Sequence, residues 1–237
     1  MSRIRLSLLG GAAMVVLAAF SASAASAAKF EWSVNGTPLA AGVKLTILLT
    51  HDAVNGTIVL KGTAFGVATE LLSSAFKSTS NIQGGKPGTG EGVTTFESIK
   101  VDKPANCEVA NVKTQNVTST IVAAGTTTSG AALILLAPAP GSTAFASFTY
   151  TSVSGKECKL AGDEIVVKGS VLLEPLSTAS QELQLFTFLP SGKQSTNSAG
   201  TVATNTLELG GTGSLNPASI SGNVEALLDV ALPFSPL

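Results

Sequence analysis

Apolar and polar residues alternate along much of the chain, and turn residues interrupt the alternation at intervals of about eight to twelve positions. The segments between the turns are rich in Val, Ile, Thr, Leu and Phe. A period of two places successive side chains on opposite faces of a strand, whereas helical periodicity is nearly absent here. The pattern therefore predicts an all-β fold, an antiparallel β-sandwich or β-barrel of about ten strands with at most one short helix.

The clearest local prediction is a β-hairpin around Asn55-Gly56. Residues 43–54 and 57–67 flank this dipeptide, and Asn-Gly suits the two left-handed positions of a type I′ turn. An earlier Asn35-Gly36 predicts another tight turn. Residues 70–77 are the one stretch that suits a helical turn or two.

A polar, glycine-rich loop is expected next, and strands are expected in most of the remaining chain. The loop covers residues 78–92. Further strands are predicted at residues 93–101, 107–113, 116–122, 131–136, 143–150, 164–172, 182–188, 201–209 and 224–232.

The amino-terminal segment has the pattern of a secretory signal peptide. Arg3 and Arg5 provide the charged start, residues 6–20 are apolar, and small residues follow up to Ala27. The apolar stretch is about 15 residues long, whereas a membrane-spanning helix needs about 20. Cleavage is therefore favoured over a retained anchor.

Cleavage after Ala24 or Ala27 fits the A-x-A pattern, and we prefer Ala27. We expect a signal peptide at residues 1–27 and a single secreted β domain at residues 28–237, with no transmembrane segment in the mature chain. The expected location is extracellular or at the cell surface, or periplasmic if the host has an outer membrane. An outer-membrane barrel is disfavoured, because such barrels carry aromatic girdles and this chain is 5% aromatic.

Charge and composition narrow the range of partners. Removing Arg3 and Arg5 from the 14 basic residues leaves 12 against 15 acidic ones, a net charge near −3. With no basic patch, we expect no nucleic-acid partner. Charged residues make up 12% of the chain and apolar residues 44%, which favours a packed core under a hydroxyl-rich surface over disorder.

The two cysteines, Cys107 and Cys158, predict one disulfide in an exported chain. Closing a loop of about 50 residues stabilises a fold by about 4 kcal/mol in the chain-entropy model. A metal site is disfavoured because His51 is the only histidine. We expect no metal and no other cofactor.

No catalytic residue can be assigned from the motifs. His51 and Asp52 are adjacent, so on a strand their side chains point to opposite faces, and we interpret His51 as structural. Residues 84–92 lack the lysine and hydroxyl spacing of a phosphate-binding loop, and no G-x-S-x-G motif occurs. Trp32 is the only tryptophan and Tyr150 the only tyrosine in the chain, so aromatic platforms for sugar rings are scarce.

Five short segments resemble a group of uncharacterised secreted proteins from soil actinobacteria. They are WSVNG at residues 32–36, VDKPANCEV at 101–109, PGSTAF at 140–145, GKEC at 155–158 and GDEIVVKGS at 162–170. The resemblance implies export and a β domain, and it carries over no catalytic residues.

Three functions follow as expectations. The first is a secreted, non-catalytic β protein with a structural or adhesive role, whose partners would be cell-surface or matrix components. The second is a binding module for a small apolar or glycan ligand, which requires a cavity of roughly 300 Å³ or more. The third is a carboxylate-dependent hydrolase, which requires two acidic side chains about 5 to 10 Å apart in a cleft.

Overall fold

The computed structural model describes residues 30–52, 56–211 and 213–237. The expected signal peptide and Asn55 lie outside these residues. Within them every regular element is a β-strand, so the all-β expectation is confirmed. None of the described residues forms a helix long and apolar enough to cross a membrane.

The described residues contain 21 strands, more than the ten or so expected, and several are very short. They are β1 (Trp32–Val34), β2 (Thr37–Pro38), β3 (Lys44–His51), β4 (Ile58–Ala64), β5 (Val67–Gln83), β6 (Thr89–Lys103), β7 (Cys107–Glu108), β8 (Val112–Lys113), β9 (Val117–Ala124), β10 (Ala132–Pro138), β11 (Ala146–Thr149), β12 (Thr151–Ser152), β13 (Glu164–Gly169), β14 (Val171–Pro175), β15 (Leu183–Phe188), β16 (Gln194–Thr196), β17 (Val202–Thr204), β18 (Leu207–Gly211), β19 (Ser214–Ser221), β20 (Asn223–Leu228) and β21 (Phe234–Pro236).

Eight of these strands close into an antiparallel barrel, here called the first barrel. Its order is β3, β5, β6, β9, β10, β14, β15 and β20, which pairs again with β3. Alternate side chains point inward, so apolar residues of neighbouring strands meet inside. Ile134 of β10, for example, lies opposite Ile121 of β9 and Leu173 of β14, and all three are buried.

A second ring of eight strands uses β5 and β6 again and is here called the second barrel. Its order is β4, β5, β6, β8, β11, β13, β18 and β19, which pairs with β4. The link between β8 and β11 is a single bridge from Thr114 to Ala146. The core of this barrel contains Leu71, Ile165 and Leu209, each at most 5% exposed.

The two barrels stack end to end because their strands continue from one into the other. β5 and β6 run through both, β3 and β4 lie in line along one edge of β5, and β8 and β9 lie in line along one edge of β6. The chain also changes barrel at Gly169, after β13, and at Gly222, after β19, where φ angles of 99° and 123° favour glycine. The result is one eight-stranded tube. The junction between the two barrels is here called the waist.

Each outer end of the tube is closed by a small sheet. At the first barrel β2, β1 and β21 form a three-stranded cap, whose Trp32 and Phe234 are buried and in ring contact at 6.3 Å between centroids. The Trp32 Nε1 donates to the Thr89 carbonyl at 2.9 Å. The Gln184 Nε2 donates to the Phe234 carbonyl at 2.6 Å, which fixes the cap to the barrel wall.

At the second barrel the cap is the β7–β12 pair and the segment after it. Cys107 and Cys158 form the expected disulfide there, across 51 residues of sequence, and both are nearly buried. Tyr150 packs against Phe148 in an edge-on arrangement with 5.5 Å between ring centroids. The disulfide therefore joins β7 to the segment that follows β12 in the cap of the second barrel.

The hairpin expected around Asn55-Gly56 is wrong. β3 pairs with β5 and β20, and β4 pairs with β5 and β19, so neither strand pairs with the other. Both take places along the same edge of β5, which is 17 residues long and offers room for two strands in line. The chain around Gly56 therefore steps from one barrel to the next without reversing.

The helical turn expected at residues 70–77 and most of the loop expected at residues 78–92 are also wrong. Residues 70–83 belong to β5, residues 89–92 belong to β6, and only the five positions between these strands form the turn. Leu71, Ser73 and Phe76 are buried within β5. The polar composition that suggested a loop belongs to side chains of two paired strands.

Removing the disulfide should destabilise the protein by about 4 kcal/mol, because the 51-residue separation between its cysteines leaves the unfolded chain much freer when reduced. The measurement is urea unfolding of the oxidised mature chain against the Cys107→Ser/Cys158→Ser double variant. An unchanged unfolding midpoint would show that the second cap holds without the covalent link.

Alkaline stability should depend on Tyr150, whose side chain is fully buried. Burial raises the pKa of Tyr150 above its ordinary value of 10.0, and the nearby Thr69 hydroxyl lowers it in part. Tyr150 therefore ionises at lower pH in the unfolded chain than in the folded protein. Its contribution to the free energy of unfolding is complete below about pH 10 and is lost as pH rises through the folded pKa. Tyr150→Phe should flatten the decline in unfolding free energy measured between about pH 8 and about pH 12; equal slopes would contradict this.

Candidate functional site

His51 and Asp52 do not form a catalytic pair. His51 ends β3, where it lies opposite Val224 and is half-buried. Asp52 is 5% exposed, and its Oδ2 accepts a hydrogen bond from the Asn223 Nδ2 at 3.4 Å. Both residues lie at the waist, where β3 and β20 diverge from β4 and β19, and they help to define that junction.

Acidic, histidine and cysteine side chains do not converge elsewhere in the described part of the chain to the degree that a metal site needs. No group of three or more such residues is suitably placed within it. Several described carboxylates pair with lysines, as Glu70 does with Lys61 at 2.9 Å and Lys103 at 3.8 Å. These ion pairs lie on the outer surface of the tube, where they contribute little.

The interior of the first barrel contains a cavity of about 100 Å³. Its walls are mainly aromatic and branched aliphatic side chains from the cap, from every strand of the barrel and from the waist. The apolar lining residues are Trp32, Ile47, Leu49, Phe76, Ile82, Phe96, Val117, Ile134, Leu136, Phe145, Leu173, Phe186, Phe188, Ile220 and Val224. An occupant would therefore be surrounded by hydrocarbon on most sides.

One wall of this cavity carries hydroxyl groups. Ser80 on β5, Thr94 on β6, Thr114 beside β8 and Ser119 on β9 all border it. The Thr114 Oγ1 already accepts a hydrogen bond from the Thr94 backbone N–H at 2.9 Å. The wall thus offers uncharged polar groups along one side of an otherwise apolar space.

The same wall has no room for a side chain at Gly92. Gly92 lies opposite Ser80, and a Cβ added to Gly92 would lie 2.6 Å from the Ser80 Cβ and 2.7 Å from the Ser80 Cα. Real Cβ atoms do not approach backbone that closely, so Ser80 covers the space that a side chain at position 92 would need.

The only carboxylate among the described residues that border the cavities is turned away from the larger one. The Glu91 Oε1 forms an ion pair with the Lys44 Nζ at 2.9 Å on the outer surface. The hydrogen bond and charge of Lys44 lower the pKa of Glu91 below its ordinary value. None of the described residues that line the two cavities therefore presents a charged side chain to the interior.

A smaller cavity of about 50 Å³ lies in the second barrel. Ser73 is its one polar lining residue, and the Ser73 Oγ is already bonded to the carbonyls of Ala75 and Glu97 at 2.8 and 2.9 Å. Phe96, Phe145 and Ile220 border both cavities. The two spaces are neighbours along the axis of the tube.

Both cavities are smaller than the roughly 300 Å³ expected for a drug-sized ligand. An apolar cavity of about 150 Å³ is nonetheless large enough to hold benzene. If empty, spaces of 100 and 50 Å³ reduce stability by about 2 and about 1 kcal/mol, at about 24 cal/mol per Å³. Both spaces are smaller than that benzene cavity, so the geometry limits an occupant of either one to a short chain.

Sequence reasoning named none of the cavity residues as a site. Residues 78–92 supply Ser80, Ile82 and Gly92, but their polar composition indicated a loop. The local sequence carries no strand signal, because Ser78, Thr79, Ser80 and Asn81 are all polar and do not alternate with apolar residues.

The chain matches no protein-family model, no curated protein and no solved structure.

Gly92→Ala should destabilise the protein by about 1 to 3 kcal/mol, because the added methyl group overlaps the backbone of β5. The matched control is Gly213→Ala, where an added Cβ meets nothing within 4 Å and should change stability by less than about 0.5 kcal/mol. Urea unfolding of both variants measures the difference. Equal effects would contradict the tight contact between β5 and β6.

Proposed function

We propose that the mature chain is an exported binding protein that holds a small, uncharged, apolar molecule inside the first barrel. The observation that carries this proposal is the cavity of about 100 Å³, lined mainly by apolar side chains and bordered at the capped end by Trp32. Burying an apolar molecule there removes its surface from water and offsets the free energy lost to an empty space.

Export is part of the proposal and has its own support. The Cys107–Cys158 disulfide needs an oxidising compartment to persist. The amino-terminal pattern of Arg3, Arg5 and the apolar residues 6–20 provides the route. A binding protein outside the cytoplasm would meet small apolar molecules that diffuse between cells or from membranes.

The geometry favours an apolar ligand over a glycan. Sugar rings stack on exposed aromatic faces, but Trp32 and Tyr150 are 2% and 0% exposed. Phe65, which is 52% exposed, is held at the turn between β4 and β5, with its ring over Gly211. The hydrolase expectation gains no support either, because Glu91 is the sole carboxylate among the described cavity residues and pairs with Lys44.

The structural or adhesive role that the sequence favoured first stays a prediction. One surface feature favours it: Leu48 and Leu183 are 41% and 44% exposed, and both lie beside Leu227 in a cross-strand row on the outside of the first barrel. Sedimentation of the purified chain and binding to cells or matrix polymers test this role. Monomeric protein that binds neither would contradict it.

Trp32 is the only tryptophan in the chain and borders the larger cavity, so its fluorescence reports occupancy. We expect bromoethane, a short apolar chain that quenches tryptophan by its heavy atom, to quench the mature protein along a saturable curve. At 100 times its dissociation constant it should add about 2.7 kcal/mol to the free energy of unfolding.

The variant that tests the site is Val117→Phe, because Val117 borders the larger cavity and a phenyl ring would fill it. The matched control is Val202→Phe, at a residue 42% exposed on β17. We expect Val117→Phe to abolish saturable quenching and Val202→Phe to retain it. Linear quenching of the wild type, like that of free tryptophan, would contradict the proposed function.

A further inference from the structure

The waist between the two cavities is closed by side chains. Phe96, Phe145 and Ile220 each border both spaces. Phe96 is half-buried on β6 and contacts Phe76, its partner on β5, at 5.9 Å between ring centroids. Ile220 is half-buried on β19, two residues before Gly222.

The strands around the waist are held by backbone pairing, whereas the side chains of Phe96 and Ile220 are held by packing alone. β5 and β6 are paired on both sides of Phe96, so their backbone cannot open without breaking many hydrogen bonds. A rotation of Phe96 or Ile220 changes only side-chain torsions, which is a far smaller rearrangement. A passage between the two cavities along the axis of the tube needs the side chains that border both spaces, Phe96, Phe145 and Ile220, to move aside.

The joined space would be long and narrow. An eight-stranded barrel has an interior just wide enough for side chains or one small ligand, so its length is the dimension that can grow. The lining of the second cavity is apolar apart from Ser73, whose hydroxyl is already bonded. Hydroxyl groups of Ser80, Thr94, Thr114 and Ser119 lie only at the first cavity.

We infer that the ligand is an unbranched, uncharged alkyl chain with a hydroxyl or carbonyl head, whose head lies in the first cavity and whose tail passes Phe96 into the second. This inference rests on the proposed function and specifies its ligand. It places the polar end at the wall that carries the Thr94 and Ser119 hydroxyls, beside the Ser80 Oγ that is already bonded to the Ser78 Oγ. It also gives the second cavity a role that a shorter ligand would not use.

A homologous series of 1-alkanols, from ethanol to 1-decanol, tests the inference with the mature, disulfide-bonded chain by calorimetry. Each added methylene that becomes buried should raise affinity about fourfold. In the wild type we expect this gain to continue past the length that fills the first cavity.

Val171→Phe supplies the decisive comparison, because Val171 borders the second cavity and not the first. This variant should bind short alkanols within about twofold of wild type and lose the fourfold gain per methylene for longer ones. Val202→Phe, the exposed control, should show the full series. If wild type and Val171→Phe stop gaining at the same length while short chains bind, the inference is overturned and the proposed function stands.

Phe96→Ala keeps the test informative if Val171→Phe fails to fold. With a mobile partition, the long-chain gain should be present in both wild type and Phe96→Ala. A gain that appears only in Phe96→Ala would show that Phe96 is a fixed wall and would overturn the inference. Absence of binding by every alkanol in every variant would overturn both the inference and the proposed function.

Discussion

The backbone pairing of β5 with β6 is the constraint on which the rest of the structure depends. These strands span 17 and 15 residues, and they pair from Glu70–Lys103 to Gln83–Thr89. Both barrels use this one hairpin as two of their eight strands, so the positions of all other strands are set relative to it. Its closed end meets the first cap, and its open end leads into Cys107 and the second cap. The stacking of the barrels, the waist and the alignment of the two cavities follow from that shared pair.

The sequence predicted strand content well because strand periodicity is local. The expected strands at residues 116–122, 131–136 and 182–188 each coincide with one observed strand to within two or three residues. The stretch at 164–172 is also extended, but it divides at Ser170 into β13 and β14, which belong to different barrels. Alternation does not show a change of barrel, because side chains on both parts still alternate between inside and outside. Counting predicted strands therefore underestimates their number.

Two copies of Asn-Gly had different outcomes, and the difference is physical. Asn35 and Gly36 have φ angles of 52° and 73° and join β1 to β2 as the tight turn that was expected. The second Asn-Gly lies between β3 and β4, and both of these strands pair with β5. The pairing of β4 with β5 covers seven positions. An Asn-Gly dipeptide allows a tight turn, but the pairing of its flanking strands decides whether a hairpin forms. Here both flanking strands pair with the 17-residue β5. The candidate site was missed for the same reason, since its hydroxyl wall exists only when β5 and β6 are placed side by side.

The cavity of the first barrel lies behind the barrel wall and the first cap, and the free-energy cost of opening differs between them. Opening the wall of the first barrel separates paired strands, whereas the seam between β8 and β11 of the second barrel is the single bridge from Thr114 to Ala146. The cap of β1, β2 and β21 is attached through the Trp32–Thr89 and Gln184–Phe234 hydrogen bonds and through Trp32 and Phe234, which are buried in the core of the first barrel. Local opening of a small peripheral sheet has a lower free energy than opening of the core. Trp32 would then serve two purposes, because the same indole that borders the cavity also holds the cap closed over it.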